Sequence, residues 1–253
     1  NGKEAEVKET PEQRFVIQQF ASAESAKLFM EQVPEGASVL EIGPSAGGFL
    51  SHLVGKYDLH AVEWNPEDAK FVREVGEIPC EECDVEDAFP DKKFTAIVAR
   101  QVLEHTEDPY LFLDTCRRKL IGGGWLYLEL PNANNALTAV YGIPSFQDWW
   151  FSAPHLTYWE PETLMNILDA TGFEARVKTT QRFGIAHAMH WILKGSGMKD
   201  TNSAAPIKPV HPKHPLAPSL NRIFARIDKE YRIQMETLGC TDQLRVFARR
   251  SEI

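Results

Sequence analysis

Four carboxylates and two histidines stand where their types and spacing could do chemistry. Glu41 lies two residues before a glycine-rich turn, Gly43-Pro44-Ser45-Ala46-Gly47-Gly48, and Glu63 lies twenty positions after Gly43. Asp84, with Val85 behind it, follows a further short stretch, and Glu104-His105 follows a strongly apolar one. His155 closes an aromatic-rich segment. Carboxylates at such points suit hydrogen bonds to hydroxyl and amino groups. A neutral imidazole suits removal of a proton near pH 7.

The glycine turn has two sharp readings. A dinucleotide fingerprint wants G-x-G-x-x-G with pyrophosphate on the following helix N-terminus. This chain has Gly43-x-Ser45-x-x-Gly48, so the middle glycine is absent. Glu41 under the turn would repel a pyrophosphate but suits an ammonium or sulfonium group. That favours S-adenosylmethionine over NAD. Glu63 could accept both ribose hydroxyls of a nucleoside, a role acids also fill in NAD enzymes. Asp84 could accept from an adenine amino group, and the Val85 backbone N–H could meet a ring nitrogen. A tight turn that binds nothing, flanked by solvated acids, is the plain alternative.

These residues need elements to hold them. The spacing predicts a helix over 11–32, with an apolar stripe of Phe15, Ile17, Phe20, Ala21, Leu28 and Phe29. It predicts strands over 38–42, 59–63, 77–83 (weak), 94–99 and 125–130, separated by helices over 47–56, 66–75 and 108–120. Asn65 and Pro66 mark a helix start. After the fifth strand, 132–160 reads as an aromatic loop, the lid. A helix over 161–171, a strand over 173–180, a helix over 184–194, a connector over 195–218, a helix over 220–238 and a strand over 244–249 follow. Alternation of strands and helices predicts a doubly wound, mostly parallel α/β sheet with helices on both faces. The expected division is an N-terminal helical segment, 1–35, and one domain, 36–253. Within it the lid spans about 133–160 and a helical accessory lobe about 183–240.

Composition narrows the classes. The chain has 253 residues, 43% hydrophobic and 25% charged, which is ordinary globular usage. The net charge of −9 disfavours a nucleic-acid binder. No apolar run is long enough for a membrane span. The start, Asn1-Gly2-Lys3-Glu4-Ala5-Glu6, has no apolar signal region and no Met, which fits a processed or truncated chain. Four cysteines suit a reducing cytoplasm, the expected location. Cys80-Glu81-Glu82-Cys83 is a lone CxxC without a second pair, so two strand-end thiols are expected.

Val39-Leu40-Glu41-Ile42-Gly43-Pro44-Ser45-Ala46-Gly47 resembles the first motif of class I S-adenosylmethionine-dependent methyltransferases. Ala61 to Pro66 is similar to the second motif and Cys83-Asp84-Val85 to the third. Ala99 to Pro109, and His155 to Glu162 running on to Phe173, resemble the subgroup acting on small molecules and sugars. The resemblance covers about 36–180. The family usually has glycine where Ser45 stands. The resemblance implies a seven-stranded, Rossmann-like sheet whose last strand is inserted antiparallel. It also implies that Gln101 and the loop backbone (Gly43, Ser45, Gly47) hold the methionine end of the cofactor, and that Trp64 stacks beside the adenine or ribose.

The expected reaction is O-methylation of a small-molecule or sugar hydroxyl, in a surface-polysaccharide or natural-product pathway, with His105 or His155 as base. Glu104 could orient a substrate hydroxyl or help hold a divalent ion, and no metal site is expected. The lid aromatics could stack on a sugar or simply close a small core. His187 and His190 share a helical face, as do Arg222, Arg226, Lys229 and Arg232. The expected partner is a small-molecule or glycan acceptor, without nucleic acid, and a homodimer is allowed. Rivals are methylation of a quinone, phenol, N-nucleophile or wobble-base tRNA, a non-catalytic cofactor-binding subunit, and an NAD-linked oxidoreductase.

Overall fold

The computed structural model describes residues 9–151, 154–197 and 213–251. Helix α1 (Pro11–Gln32) precedes strand β1 (Ser38–Ile42), and β2 (Asp58–Val62), α2 (Pro66–Glu74), β3 (Cys80–Glu81) and β4 (Phe94–Arg100) follow. Then come α3 (Pro109–Lys119), β5 (Leu120–Pro131), α4 (Ala136–Ala139), α5 (Pro144–Trp150) and α6 (Pro161–Ala170). The chain ends with β6 (Phe173–Thr180), α7 (Ile185–Lys194), α8 (Ala217–Leu238) and β7 (Gln243–Arg250). The sheet order is β3-β2-β1-β4-β5-β7-β6, mostly parallel with one antiparallel pair. The expected Rossmann-like α/β sheet is therefore present, with the last strand of the chain inserted before β6. The predicted connector is described only at its ends, since 198–212 lies outside the described residues.

The chain forms two compact units. The first comprises Asn1–Arg100, Leu113–Tyr127 and Ala248–Ile253. Parallel pairing of β1 with β2 runs from Ser38 opposite Asp58 to Ile42 opposite Val62. The residues just after these strands, Gly43 and Glu63, therefore leave the sheet at the same edge. Glu63 N donates to the Glu81 carbonyl, which brings the end of β3 level with them.

Helix α1 starts at a Thr10 capping box closed by Gln13, with Pro11 in the first turn. Its buried residues are Ser22, Ser25, Ala26 and Phe29. The predicted stripe is only partly right, because Phe20 is 63% exposed. Phe29 packs against Phe49 and Tyr127, at centroid distances of 5.7 and 6.0 Å, and all three rings are buried. The helix predicted over 47–56 is instead a series of turns with one 3-10 turn at Leu50–His52. Gly47 and Gly55 adopt φ of +81° and +76°, which a right-handed helix does not allow.

The second unit comprises Gln101–Phe112 and Leu128–Phe247. Much of the predicted loop at 132–160 is in fact helical, as α4 and α5. Pro144 suits the first position of α5, and Phe146 and Trp150, four apart, share one face. That face joins Leu137, Ala188 and Trp191 in a buried cluster, with the Phe146 and Trp191 rings edge to face at 5.1 Å. The start of β7 is tied down by Asn132 Nδ2, which donates to the Thr241 carbonyl at 2.9 Å. Arg245 Nε donates to Glu129 Oε1 at 3.0 Å between two buried side chains.

Candidate functional site

The glycine turn of the first unit is built around Glu63. Its Oε2 accepts from Ser45 N at 2.8 Å and its Oε1 from Asn65 N at 2.8 Å. Burial pushes the Glu63 carboxyl up, and the Asn65 and Ser45 N–H donors pull it partly back. Gly43 N donates to the Val62 carbonyl, closing the turn onto the sheet.

Ser45 takes φ +48°, the left-handed conformation that the missing glycine would adopt freely. Its hydroxyl donates to Asp68 Oδ2 at 3.0 Å. Asp68 Oδ1 accepts from Arg14 Nε at 3.1 Å and Nη2 at 2.6 Å. One buried carboxylate thus joins α1, the turn and α2. Gly48 backs the same arrangement: a β-carbon there would stand 2.5 Å from Gln18 Cβ and from Gln19 N. Helix α1 lies directly on that glycine.

The other predicted cofactor residues of this unit are distributed as follows. Glu41 is buried within β1 at 1% exposure. Gly47, at φ +81°, has Val72 Cγ2 3.2 Å from where a β-carbon would lie. Trp64 leaves its ring 72% exposed, directly after Glu63. Asp84 is exposed and its carbonyl accepts from Asp87 N and Ala88 N, while Val85 is buried.

The second unit holds a cavity of about 300 Å³ lined by Gln101, Trp149, Trp150, His155, Arg182 and Asp242, among others. Three aromatic rings contribute, because Phe183 joins the two tryptophans. Trp150 Nε1 is buried without a hydrogen-bond partner. Asp242 accepts from Arg182 N and Phe183 N, each at 2.7 Å, and from Gln181 Nε2 at 2.9 Å. Burial nonetheless pushes its carboxyl up to about 6. Gln101, expected at the methionine end of the cofactor, lines this cavity. It takes φ +56° and its N–H donates to the Glu129 carbonyl at 2.7 Å.

Glu104, His105 and His155 come together in the same unit, with one nitrogen or oxygen of each within 4.8 Å of the others. The two imidazole rings meet edge to face at 4.8 Å. Glu104 is 1% exposed, neither carboxylate oxygen has a hydrogen-bond partner, and burial pushes it up to about 7. Its backbone carbonyl accepts from Leu156 N and Thr157 N, fixing the segment after His155 beside it. Burial, then the neighbouring His105, lowers His155.

Several sequence expectations resolve differently. The lid aromatics divide: Phe146 belongs to the core, Trp150 to both the core and the cavity wall, and Trp149, 46% exposed, to the cavity wall. His187 and His190 turn to separate partners. His187 Nε2 accepts from Trp191 Nε1 at 3.1 Å, and His190 Nδ1 meets the Ser196 carbonyl at 2.6 Å. Arg232 pairs with Asp228 at 2.8 Å and donates to the Gln181 and Arg182 carbonyls. Cys80 is a buried thiol pushed up to about 12 by burial. Arg14, Asp68 and Asp242 escaped the reading of the sequence. Arg14 and Asp68 meet across 54 residues, and Arg182 and Asp242 across 60. For Asp68 the only local signal is an acid in the first turn of α2.

The strand order and the turn after β1 define a Rossmann-like methyltransferase fold. A family model described as a methyltransferase domain matches residues 13–177. The chain belongs to that family of methyltransferase domains, and the solved structures it resembles imply S-adenosylmethionine as cofactor. In fold it is similar to an S-adenosylmethionine-dependent methyltransferase from Archaeoglobus fulgidus, with 20% identity, 92% of this chain and 94% of that one covered, and a TM-score of 0.58. It is also similar to a Thermotoga maritima protein described as a possible histamine N-methyltransferase, with 17% identity, 95% and 94% coverage, and a TM-score of 0.59. Tenellin synthetase of Beauveria bassiana is 23% identical over 116 residues, which are 46% of this chain and 3% of that much longer protein. No described helix is long and apolar enough to cross a membrane.

The first unit's residues fit this cofactor. Each Glu63 oxygen accepts one turn N–H and keeps acceptor capacity for a ribose hydroxyl. Gly43 and Gly47, at φ +66° and +81°, keep the turn free of β-carbons. Glu41 places a carboxylate in the strand beneath, suited to a cationic ligand.

Proposed function

We propose that this chain methylates a hydroxyl group of a small cyclic molecule, a sugar or phenol, held in the cavity of the second unit. The observation that carries this reading is the cavity wall. Trp149, Trp150 and Phe183 line it with aromatic side chains, and Gln101, His155, Arg182 and Gln243 with polar ones. Such a wall suits a flat, hydroxylated acceptor. The cofactor supplies an electrophilic methyl group on a sulfonium.

In the first unit, Glu63 binds the ribose and holds the turn, and Asp84 and Val85 read the adenine. Gln101 orients the methionine end or the acceptor from the cavity wall. With the cofactor bound, the O–CH3 bond would form as the sulfonium S–CH3 bond breaks and leaves a thioether, and the acceptor's O–H proton would pass to the cluster of His155, His105 and Glu104 in the second unit. His155 receives it first, because it alone of the three lines the cavity. Holding the acceptor in line supplies much of the rate, and proton removal adds a further factor of roughly 100 to 10,000.

The test has two arms. Calorimetric titration with S-adenosylmethionine, its demethylated product and NAD reads the cofactor. Glu63→Ala is expected to weaken S-adenosylmethionine roughly 100-fold, since hydrogen bonds to a charged group are worth about 1.5–3 kcal/mol each. Labelled cofactor offered with glycans, phenols, quinols, amines and tRNA reads the acceptor. Label on an amine or on RNA alone would overturn the hydroxyl reading. Cofactor binding with no transfer to any acceptor class would favour a non-catalytic subunit.

A further inference from the structure

We propose that Glu104, His105 and His155 form a binding site for a divalent first-row transition-metal ion. Two observations carry it. The first is the donor set: two imidazoles and one carboxylate present one ligand atom each within 4.8 Å of the others. The second is Glu104 itself. Its side chain is buried at 1% residue exposure, and neither oxygen has a hydrogen-bond partner. Buried carboxylates are otherwise hydrogen-bonded or paired, so an unsatisfied one calls for a cation or a proton. Its immediate neighbours are the two histidines, each able to give a lone pair to a metal.

The backbone prepares the site. Glu104 and His105 share one 3-10 turn, Leu103–His105. Leu156 N and Thr157 N donate to the Glu104 carbonyl at 2.8 and 3.2 Å, so His155 is clamped against that turn from 50 residues away. His105 Nδ1 lies 3.3 Å from the Pro154 carbonyl oxygen, an outer partner of the kind that orients an imidazole and leaves its other nitrogen for a metal. His155 Nδ1 is buried without a partner. An ion held at about 2.1 Å brings its ligands to within roughly 3–4 Å of one another, so the rings must close in slightly. His105 is exposed and can swing to do so.

Nitrogen-rich donors of this kind select Mn, Fe, Co or Zn ions over Mg and Ca, which prefer all-oxygen sites. Three protein ligands leave coordination positions open. Because His155 also lines the cavity, an ion here would stand beside the acceptor and make its hydroxyl more acidic. This changes the proposed function at the proton-removal step, since a metal-bound His155 has no lone pair left for the proton and the ion's acidifying effect would act in its place; the site rests on that function only for this consequence.

The test uses the full chain, stripped with a chelator and titrated with Co2+ while visible d–d absorption is followed, with Zn2+ and Mg2+ titrated by calorimetry. One equivalent of Co2+ and of Zn2+ is expected, with Mg2+ at least 10-fold weaker. Glu104→Gln and His155→Gln should each weaken Co2+ by at least about 1,000-fold, more than the roughly 10–100-fold usual for losing an outer partner. Circular dichroism checks that both variants fold, and Glu104→Gln preserves both volume and the backbone clamp. Absence of Co2+ binding, equal binding by wild type and both variants, or Mg2+ binding as tight as Co2+ would each overturn the site. The titration contains neither cofactor nor acceptor. Metal binding without hydroxyl methylation would therefore sink the proposed function alone. Methyl transfer undiminished in the stripped protein would overturn the ion's role in the reaction.

Discussion

Replacing Asp68 with alanine should uncouple α1 from the cofactor turn, and the size of the effect follows from three contacts. Asp68 accepts twice from Arg14 and once from the Ser45 hydroxyl, and its side chain is 4% exposed against 21% for Arg14. Charge-assisted contacts of this kind are worth about 1.5–3 kcal/mol. The partly exposed guanidinium recovers some of that from water, so about 2 kcal/mol remains. The hydroxyl contact adds about 1 kcal/mol. Asp68→Ala should therefore lower unfolding stability by about 3 kcal/mol, read from a urea transition at unchanged slope. A second effect falls on binding. Ser45 sits at φ +48°, which disfavours an L-residue by about 1–2 kcal/mol, and only Glu63 would still hold it there. Relaxation of the turn should weaken S-adenosylmethionine roughly 10-fold by calorimetry, about 1.4 kcal/mol. Ser45→Gly in the Asp68→Ala background should restore most of the affinity, since glycine takes this φ freely, but not the stability. Unchanged affinity in Asp68→Ala, or no recovery with glycine, would refute the view that Asp68 shapes the turn.

Two further outcomes follow from neighbouring features. Gly48→Ala should cost about 2 kcal/mol by overpacking, because its β-carbon meets α1 backbone rather than a mobile side-chain tip; a thermal transition matching wild type would contradict the close seating of α1. His187 should make stability fall in acid. Burial lowers its pKa to about 4 from 6.5, so its contribution is complete above about pH 6.5 and is lost as pH falls through 4, up to about 3 kcal/mol. Asp242, raised to about 6, acts in the opposite direction over nearly the same range, so the comparison must be made with His187→Gln, whose amide can still accept from Trp191. Parallel pH profiles for wild type and His187→Gln would show that His187 does not titrate as its burial dictates.

The residues legible in the sequence were those tied to a local pattern. A short apolar run ending in glycine or acid announced β1 with Gly43 and β2 with Glu63, because a buried strand and its exit are both short-range features. Asp84 was picked out the same way, whereas Gln101 came only from the resemblance of the segment Ala99 to Pro109. Asp68 was not, since its partners Arg14 and Ser45 come from 54 and 23 residues away. Periodicity erred where two glycines imposed left-handed φ on an otherwise helical stretch, at Gly47 and Gly55. The lid was read as irregular because its aromatics are dense on every side. Only packing against Ala188 and Trp191 of α7 decides which of them turn inward. The Glu104–His105 pair was visible as a motif. His105 and His155 were read as alternative bases; that His155 joins the pair was not foreseen, and the Leu156 and Thr157 amides that bring it there carry no sequence signature.

The fastening of α1 also bears on the order in which a nascent chain can acquire structure. Arg14 to Asp68 and Gln19 to Ser51 join residues 54 and 32 apart, all within the first third of the chain. Asn132 to Thr241 and Glu129 to Arg245 close loops of 109 and 116 residues, and both wait for the final strand. Shorter loops lose less entropy on closure and close sooner during synthesis. The cofactor turn can thus gain its clasp while most of the second unit is still unmade, and the acceptor cavity, which needs Asp242 and Gln243, is completed last.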